Sequence, residues 1–75
     1  MRLNDQIRLA RKQRGMTQAE CGRKMGIRRQ AWHRWETGQV RPHFGTLEQI
    51  ATILDMTVIE LLSITTDPAP DEVVA

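Results

Sequence analysis

Apolar residues recur along this chain at intervals of three and four positions, the spacing that places side chains on one face of an α-helix. The spacing begins near the N-terminus, where Asn4 stands at an N-cap position. We expect a first helix over residues 4–14, ended by Gly15. Its buried face is predicted to hold three apolar side chains, those of Leu3, Ile7 and Ala10.

The stretch over residues 18–37 predicts two further helices that meet at a tight turn around Gly26. The small Gly22 lies where the second of these helices must cross the first closely. Arg28, at the start of the later helix, is a poor N-cap residue. The side chains predicted to point outward from this later helix are basic or form hydrogen bonds: Arg28, Arg29, Gln30, His33 and Arg34. This is the layout of a helix-turn-helix.

Three Thr-x-x-Glu or Thr-x-x-Gln sequences have the form of capping boxes, in which two side chains satisfy unpaired backbone N–H groups at a helix N-terminus. They lie at residues 17–20, 46–49 and 57–60. The first predicts the start of the second helix, and the other two predict a fourth and a fifth. We therefore expect an all-α fold, a compact bundle of five short helices whose helix-turn-helix is formed by helices 2 and 3.

The pattern changes after the fifth predicted helix. Residues 65–75 contain two prolines and three acidic residues, a composition typical of flexible segments. We therefore predict one domain over residues 1–64 and an acidic tail over residues 65–75. The sequence leaves open whether this tail ends the protein or leads into a further domain.

Charge is divided unevenly between the two halves of the chain. Residues 1–43 hold all eleven lysines and arginines against three acids, a balance of +8, and residues 44–75 hold six acids and no lysine or arginine, a balance of −6. The two give the net charge of +2. A one-sided basic surface attracts polyanions, so the segregation favours a nucleic acid as the partner.

Other classes of protein find little support. The sequence has no apolar run of about 18 residues and no signal-peptide pattern, so we expect a cytoplasmic, nucleoid-associated protein without a membrane partner. A single cysteine cannot form an internal disulfide. We expect no enzyme activity and no cofactor, because no nucleophile, phosphate-binding glycine loop or carboxylate pair stands in a suitable context.

Some residues admit a second interpretation. Trp32 and Trp35 are either core residues or stacking platforms for single-stranded nucleic acid, and their three-residue spacing favours the core. Cys21, His33 and His43 contain metal-binding groups, but spacings of 12 and 10 residues match no common zinc pattern. We therefore expect no metal site.

Over residues 3–62 the sequence resembles the repressors of the lambdoid-phage repressor/Cro type, the XRE-like superfamily. The resemblance depends on the joint order and spacing of several short motifs. These are Thr17-Gln18, Gly26, Trp35-Glu36-Thr37-Gly38, Pro42 and Ile59-Glu60-Leu61-Leu62. Arg11 also matches an arginine that in this family pairs with the glutamate equivalent to Glu36, which implies a structural ion pair.

The resemblance also implies roles for residues that bind DNA. Base contacts in the major groove are implied for Arg29, Gln30 and Arg34. Gln18 matches a residue that contacts phosphate at the N-terminus of the second helix. Further contacts to the DNA backbone or the groove edge are expected at Arg28, His33, Arg41 and His43.

These implications predict a sequence-specific regulator of transcription, of bacterial or phage type, that binds a palindromic operator in double-stranded DNA as a homodimer. Repression is the favoured sign of regulation. One alternative is an antitoxin that controls its own operon and binds a toxin. A second alternative, from another class, is a protein-interaction module that has the fold without binding DNA.

Overall fold

The computed structural model describes residues 2–63, which form five α-helices and no strand. This part of the chain confirms the predicted all-α fold. The helices are α1 (Leu3–Gln13), α2 (Gln18–Met25), α3 (Arg29–Thr37), α4 (Phe44–Ile53) and α5 (Val58–Leu62). The predicted tail at residues 65–75 lies outside the described residues.

Two of the three predicted capping boxes are present. The Thr17 hydroxyl accepts a hydrogen bond from the backbone N–H of Glu20 at 3.0 Å, and the Glu20 carboxylate accepts one from the backbone N–H of Thr17 at 2.9 Å. Thr57 and Glu60 repeat this pair of bonds with the same distances. Each box satisfies backbone donors that the first turn of a helix leaves unpaired, and this is why α2 and α5 begin where they do.

The third predicted capping box, at Thr46, is wrong. Helix α4 begins two residues earlier, at Phe44, after an extended His43. The backbone N–H of Leu47 donates to the carbonyl of His43 at 2.9 Å, which places Thr46 inside the first turn. Its hydroxyl lies 3.4 Å from His43 Nδ1 instead of capping the helix. The chain turns into α4 directly after Pro42, so the helix starts before the threonine.

Asn4 was also predicted wrongly, since it is not an N-cap. The N-cap of α1 is Arg2, which has extended backbone angles and makes no capping bond with its side chain. Asn4 lies in the first turn, and its Nδ2 donates to the carbonyl of Glu36 at 3.2 Å. An asparagine side chain can bond either to the backbone of its own helix N-terminus or to a distant backbone group. Here Asn4 forms the bond to the distant carbonyl in α3.

Each helix contributes one face to a single core. Trp32 of α3 is fully buried, as the sequence predicted, and Trp35 is half-buried beside it. The two rings pack edge to face, with centroids 5.6 Å apart and planes at 67°. The other large side chains that are fully buried belong to the same core: Ile7, Cys21, Leu47, Ile50, Leu54 and Leu61.

The turn between α2 and α3 sets the direction of α3. Gly26 has a left-handed backbone (φ 74°), a conformation that costs other residues energy, and it ends α2 as predicted. The N–H of Ile27 then donates to the carbonyl of Gly22 at 2.9 Å. A Cβ on Gly22 would lie 3.1 Å from the carbonyl oxygen of Ile27, so the absence of a side chain allows this close approach. Arg28 makes no capping bond with its side chain, which agrees with the weak N-cap that the sequence predicted.

Candidate nucleic-acid interface

Helix α3 has one buried side and one polar side. The side chains of Trp32 and Glu36 are buried, whereas those predicted to point outward are exposed. At about 100° per residue, the exposed residues on the helix from Arg29 to Arg34 span an arc of about 140°. We call this surface the basic arc: Arg28, Arg29, Gln30, His33 and Arg34. Arginine and glutamine carry the donors and acceptors that match base edges and phosphates.

Glu36 holds the buried side of α3 in place. The residue is only 3% exposed, and its carboxylate accepts hydrogen bonds from side chains of three helices. Arg11 of α1 donates from Nε to Oε2 at 2.6 Å and from Nη2 to Oε1 at 3.1 Å, so the ion pair expected between these residues is present. The indole N–H of Trp32 donates to Oε2, and Gln18 of α2 donates from Nε2 to Oε1 at 3.0 Å. Arg11 also donates to the carbonyl of Met16 at 2.8 Å.

These contacts keep Glu36 charged although it is buried. Burial by itself would raise the pKa of the carboxyl group, but the hydrogen bonds from Arg11, Gln18 and Trp32 lower it further than burial raises it, so the pKa lies below its ordinary value. The same bond raises the pKa of Arg11, because it stabilises the charged guanidinium. Both partners are therefore ionised at neutral pH, and the pair fixes α1, α2 and α3 relative to one another.

Gln18 connects this buried pair to the basic arc. It is the first residue of α2, and its side-chain amide lies between Glu36 and His33. The amide nitrogen is 3.2 Å from Nδ1 of His33, which lies on the exposed side of α3. The structure thus joins four of the predicted site residues, Arg11, Gln18, His33 and Glu36, in one hydrogen-bonded chain. The sequence did not predict the contact between Gln18 and His33, because the two are 15 positions apart on different helices.

The loop between α3 and α4 carries the two remaining predicted residues. Arg41 and His43 are both exposed. Arg41 borders a cleft of about 430 Å³ beside the start of α1, and Arg2, which no sequence motif indicated, also lines this cleft. The cleft therefore places two arginines near the end of α3.

Within the described residues 2–63, no group of three His, Cys, Asp or Glu side chains is arranged to hold a metal ion. Cys21 is buried in the core, and burial raises the pKa of its thiol. No helix of this region is long and apolar enough to cross a membrane.

Comparison with known proteins gives a consistent family. A family model described as a helix-turn-helix domain matches residues 2–63. The chain is 36% identical over 59 residues to the uncharacterized HTH-type transcriptional regulator YqaE of Bacillus subtilis (strain 168). That match covers 79% of this chain and 51% of YqaE, so the chain spans about half the length of this relative.

The fold is similar to that of solved repressor structures. The DNA-binding domain of the P22 c2 repressor in solution superposes with a TM-score of 0.79 at 22% identity, covering 93% of this chain and 95% of that domain. A crystal structure of the P22 c2 repressor in complex with the synthetic operator 9T gives a TM-score of 0.73 at 24% identity, covering 81% and 92% of the two chains. The chain belongs to the helix-turn-helix domain family, and its fold is that of the phage repressor DNA-binding domains.

Proposed function

We propose that this protein regulates transcription by binding a specific sequence in double-stranded DNA, with α3 in the major groove. The observation that carries the proposal is the basic arc, an exposed set of donors on a helix whose opposite side is fixed by Trp32 and the Arg11–Glu36 pair. Rigid placement matters because base recognition depends on hydrogen bonds with defined geometry.

Three residues of the basic arc are proposed to read bases. The guanidinium groups of Arg29 and Arg34 match the O6 and N7 acceptors of guanine, and the amide of Gln30 matches N6 and N7 of adenine. Gln30 and Arg34 are four positions apart and therefore lie one helical turn from each other on the same face. A good pair of this kind discriminates against the wrong base by roughly 1–3 kcal/mol.

Other residues are proposed to contact the DNA backbone. The N-terminus of α2, at Gln18, offers unpaired amide groups and the positive end of a helix dipole, which together favour a phosphate. Arg28 and His33 flank the base-reading residues on α3, and Arg41 and His43 extend the surface along the following loop. Contacts of this kind fix the register of α3 in the groove without reading sequence themselves.

The protein is proposed to act as a homodimer on a palindromic operator. A single helix-turn-helix reads few bases, and two copies on half-sites about one helical turn apart read twice as many. Exposed apolar side chains outside α3 support a self-contact involving the loop before α4 and helix α5. Val40, Phe44 and Ile59 are 47%, 51% and 80% exposed. Such a dimer would leave both copies of the basic arc free for DNA, and occupation of a promoter by it would repress transcription.

Selection of bound sequences from a random pool of duplexes tests the proposal. We expect enrichment of a two-fold symmetric site, and we expect Arg29→Ala to relax base preference at one position in each half-site. Arg8→Ala is the matched control, because it removes the same charge from the exposed part of α1, where Arg8 lies 3.3 Å from Asp5. The absence of any enriched sequence would contradict the proposal, and an asymmetric site would contradict the homodimer.

A further inference from the structure

Both N–H groups of the Gln18 side-chain amide form hydrogen bonds within the protein. A primary amide carries two N–H donors and one carbonyl acceptor. Gln18 Nε2 lies 3.0 Å from Oε1 of Glu36 and 3.2 Å from Nδ1 of His33, and these two contacts use both donors. Glu36 fixes this orientation, because a flipped amide would place its carbonyl oxygen against a carboxylate, acceptor against acceptor.

This arrangement determines where His33 carries its proton. An amide nitrogen only donates, so Nδ1 of His33 must be the acceptor of the bond from Gln18. A neutral imidazole has one donor nitrogen and one acceptor nitrogen, and the bond made by one sets the role of the other. In the neutral form of His33, this contact therefore places the N–H on Nε2. The Arg11–Glu36 pair, acting through Gln18, selects this tautomer.

The donor that results belongs to the basic arc. His33 is exposed and lies four positions after Arg29, one helical turn along the same side of α3. The Nε2 atom lies across the imidazole ring from the nitrogen that Gln18 occupies. The network thus orients this N–H group, and within residues 2–63 the only hydrogen bond of the His33 ring is the one with Gln18.

We propose that His33 is a DNA-contacting residue that donates a hydrogen bond from Nε2 to an acceptor atom of the duplex, and that Gln18 and Glu36 are the positioning residues that orient it. This inference rests on the proposed function. Under this proposal, the Gln18 side chain orients His33, whereas the backbone N–H groups at the start of α2 hold the phosphate.

The tautomer of His33 is measurable by NMR in the free protein. The ¹⁵N chemical shifts of the two ring nitrogens distinguish a single Nε2–H tautomer from an exchanging mixture. We expect a single tautomer for His33 and a mixture in Gln18→Leu. His43 is the internal control, because its Nδ1 faces the Thr46 hydroxyl, which can donate or accept. A mixture at His33 in the unmodified protein, or identical shifts in Gln18→Leu, would overturn the inference.

Binding to the duplex selected from the random pool tests the contact itself. His33→Ala and His33→Asn should weaken binding about three- to tenfold, the effect of one hydrogen bond. His33→Gln should restore most of the affinity, because the glutamine amide nitrogen reaches the position of Nε2 whereas that of asparagine falls nearer to Nδ1. The double variant Gln18→Leu/His33→Ala should weaken binding by less than the product of the two single effects, since the two residues act in one chain.

Comparing Arg29→Ala with His33→Ala distinguishes a failure of this inference from a failure of the proposed function. If the unmodified protein binds and Arg29→Ala relaxes its base preference, while His33→Ala binds normally, the function stands and this inference fails. If the unmodified protein binds no duplex, both fail. Replacing single phosphates by neutral methylphosphonates identifies the acceptor. A phosphate acceptor makes one such duplex insensitive to His33→Ala, and a base acceptor instead gives His33→Ala an altered base preference.

Discussion

Arg11 and Glu36 are 25 positions apart and form a two-bond ion pair in which the carboxylate is almost wholly buried. The pair joins the first helix to the end of the helix that carries the basic arc. Two neutral donors, the Trp32 indole and the Gln18 amide, complete the carboxylate's hydrogen bonds. Because both charges are paired and hydrogen-bonded, the folded protein can bury them. Removing one partner leaves the other as a buried charge without a counter-charge.

The first prediction follows from that asymmetry. Arg11→Met should reduce the free energy of unfolding by about 3–5 kcal/mol, because it leaves the buried Glu36 carboxylate without a counter-charge. Glu36→Gln should cost less, because the charge that it leaves unpaired, the Arg11 guanidinium, is more exposed than the Glu36 carboxylate (11% against 1%) and keeps an amide oxygen as acceptor. Urea denaturation of both variants measures the difference. Equal stability of Arg11→Met and the unmodified protein would show that the pair does not support the fold.

Acid should destabilise the protein in a way that depends partly on Glu36. Its pKa is lower in the folded protein than its ordinary value of 4.5, because the bonds from its partners outweigh the effect of burial. The resulting stability is complete above the ordinary pKa and is lost as pH falls through the folded pKa. Hydrogen bonds from Thr17 and Thr57 also lower the pKa values of Glu20 and Glu60, so a smaller acid dependence should remain in Glu36→Gln.

Thermal unfolding between pH 7 and pH 2.5 measures this dependence. The melting temperature of the unmodified protein should be nearly constant at first and then fall below about pH 4.5. The fall should be shallower for Glu36→Gln. A profile for Glu36→Gln parallel to that of the unmodified protein would contradict the assignment of acid sensitivity to this residue.

Glycine-to-alanine substitutions should have opposite signs at two positions. Gly26 has a positive φ (74°) and open space around its missing Cβ, so Gly26→Ala meets no clash and should cost about 1–2 kcal/mol from the left-handed backbone alone. Gly45 lies in the first turn of α4, where no atom comes closer than 4.0 Å to an added Cβ. Gly45→Ala should therefore stabilise the protein by up to about 1 kcal/mol. Denaturant midpoints compare them, and a stabilising Gly26→Ala would refute the proposed turn geometry.

Self-association should be sensitive to Ile59. This side chain is 80% exposed, so Ile59→Asp should leave the fold of the monomer intact while it places a charge in the proposed dimer contact. Sedimentation velocity should show a shift towards the monomer, and affinity for a two-half-site duplex should fall at least tenfold. Leu9→Asp is the control, because Leu9 is also exposed but lies on α1. An unchanged association constant for Ile59→Asp would exclude this residue from the dimer contact.

Local signals in the sequence predicted much of the fold. The Thr17 and Thr57 boxes and the turn at Gly26 depend on residues within four positions of each other, and all three are present. Thr46 shows the limit of such signals, because the course of the chain after Pro42 starts α4 before the threonine is reached. Asn4 shows a second limit, because its hydrogen-bond partner is a carbonyl 32 positions away, which no local pattern reveals.

The candidate site divides in the same way. Helical spacing alone indicated that Arg29, Gln30 and Arg34 share an exposed surface. The orientation of His33 depends on Gln18, and that of Gln18 on Glu36, through contacts between helices. Neither spacing nor composition contains this information, because it arises only when α2 and α3 cross at Gly22.

The central claim is that the basic arc binds duplex DNA, and the salt dependence of binding tests it most directly. Affinity for the selected duplex, measured from 50 to 300 mM salt, should fall steeply, with a slope of log affinity against log salt of about −0.9 for each phosphate contact. Arg28→Ala should reduce that slope by about one contact, the Arg29→Ala/Arg34→Ala double variant should abolish preference for the selected sequence, and Arg8→Ala should change neither. A flat salt dependence, or an Arg29→Ala/Arg34→Ala double variant that still prefers the selected sequence, would contradict the claim.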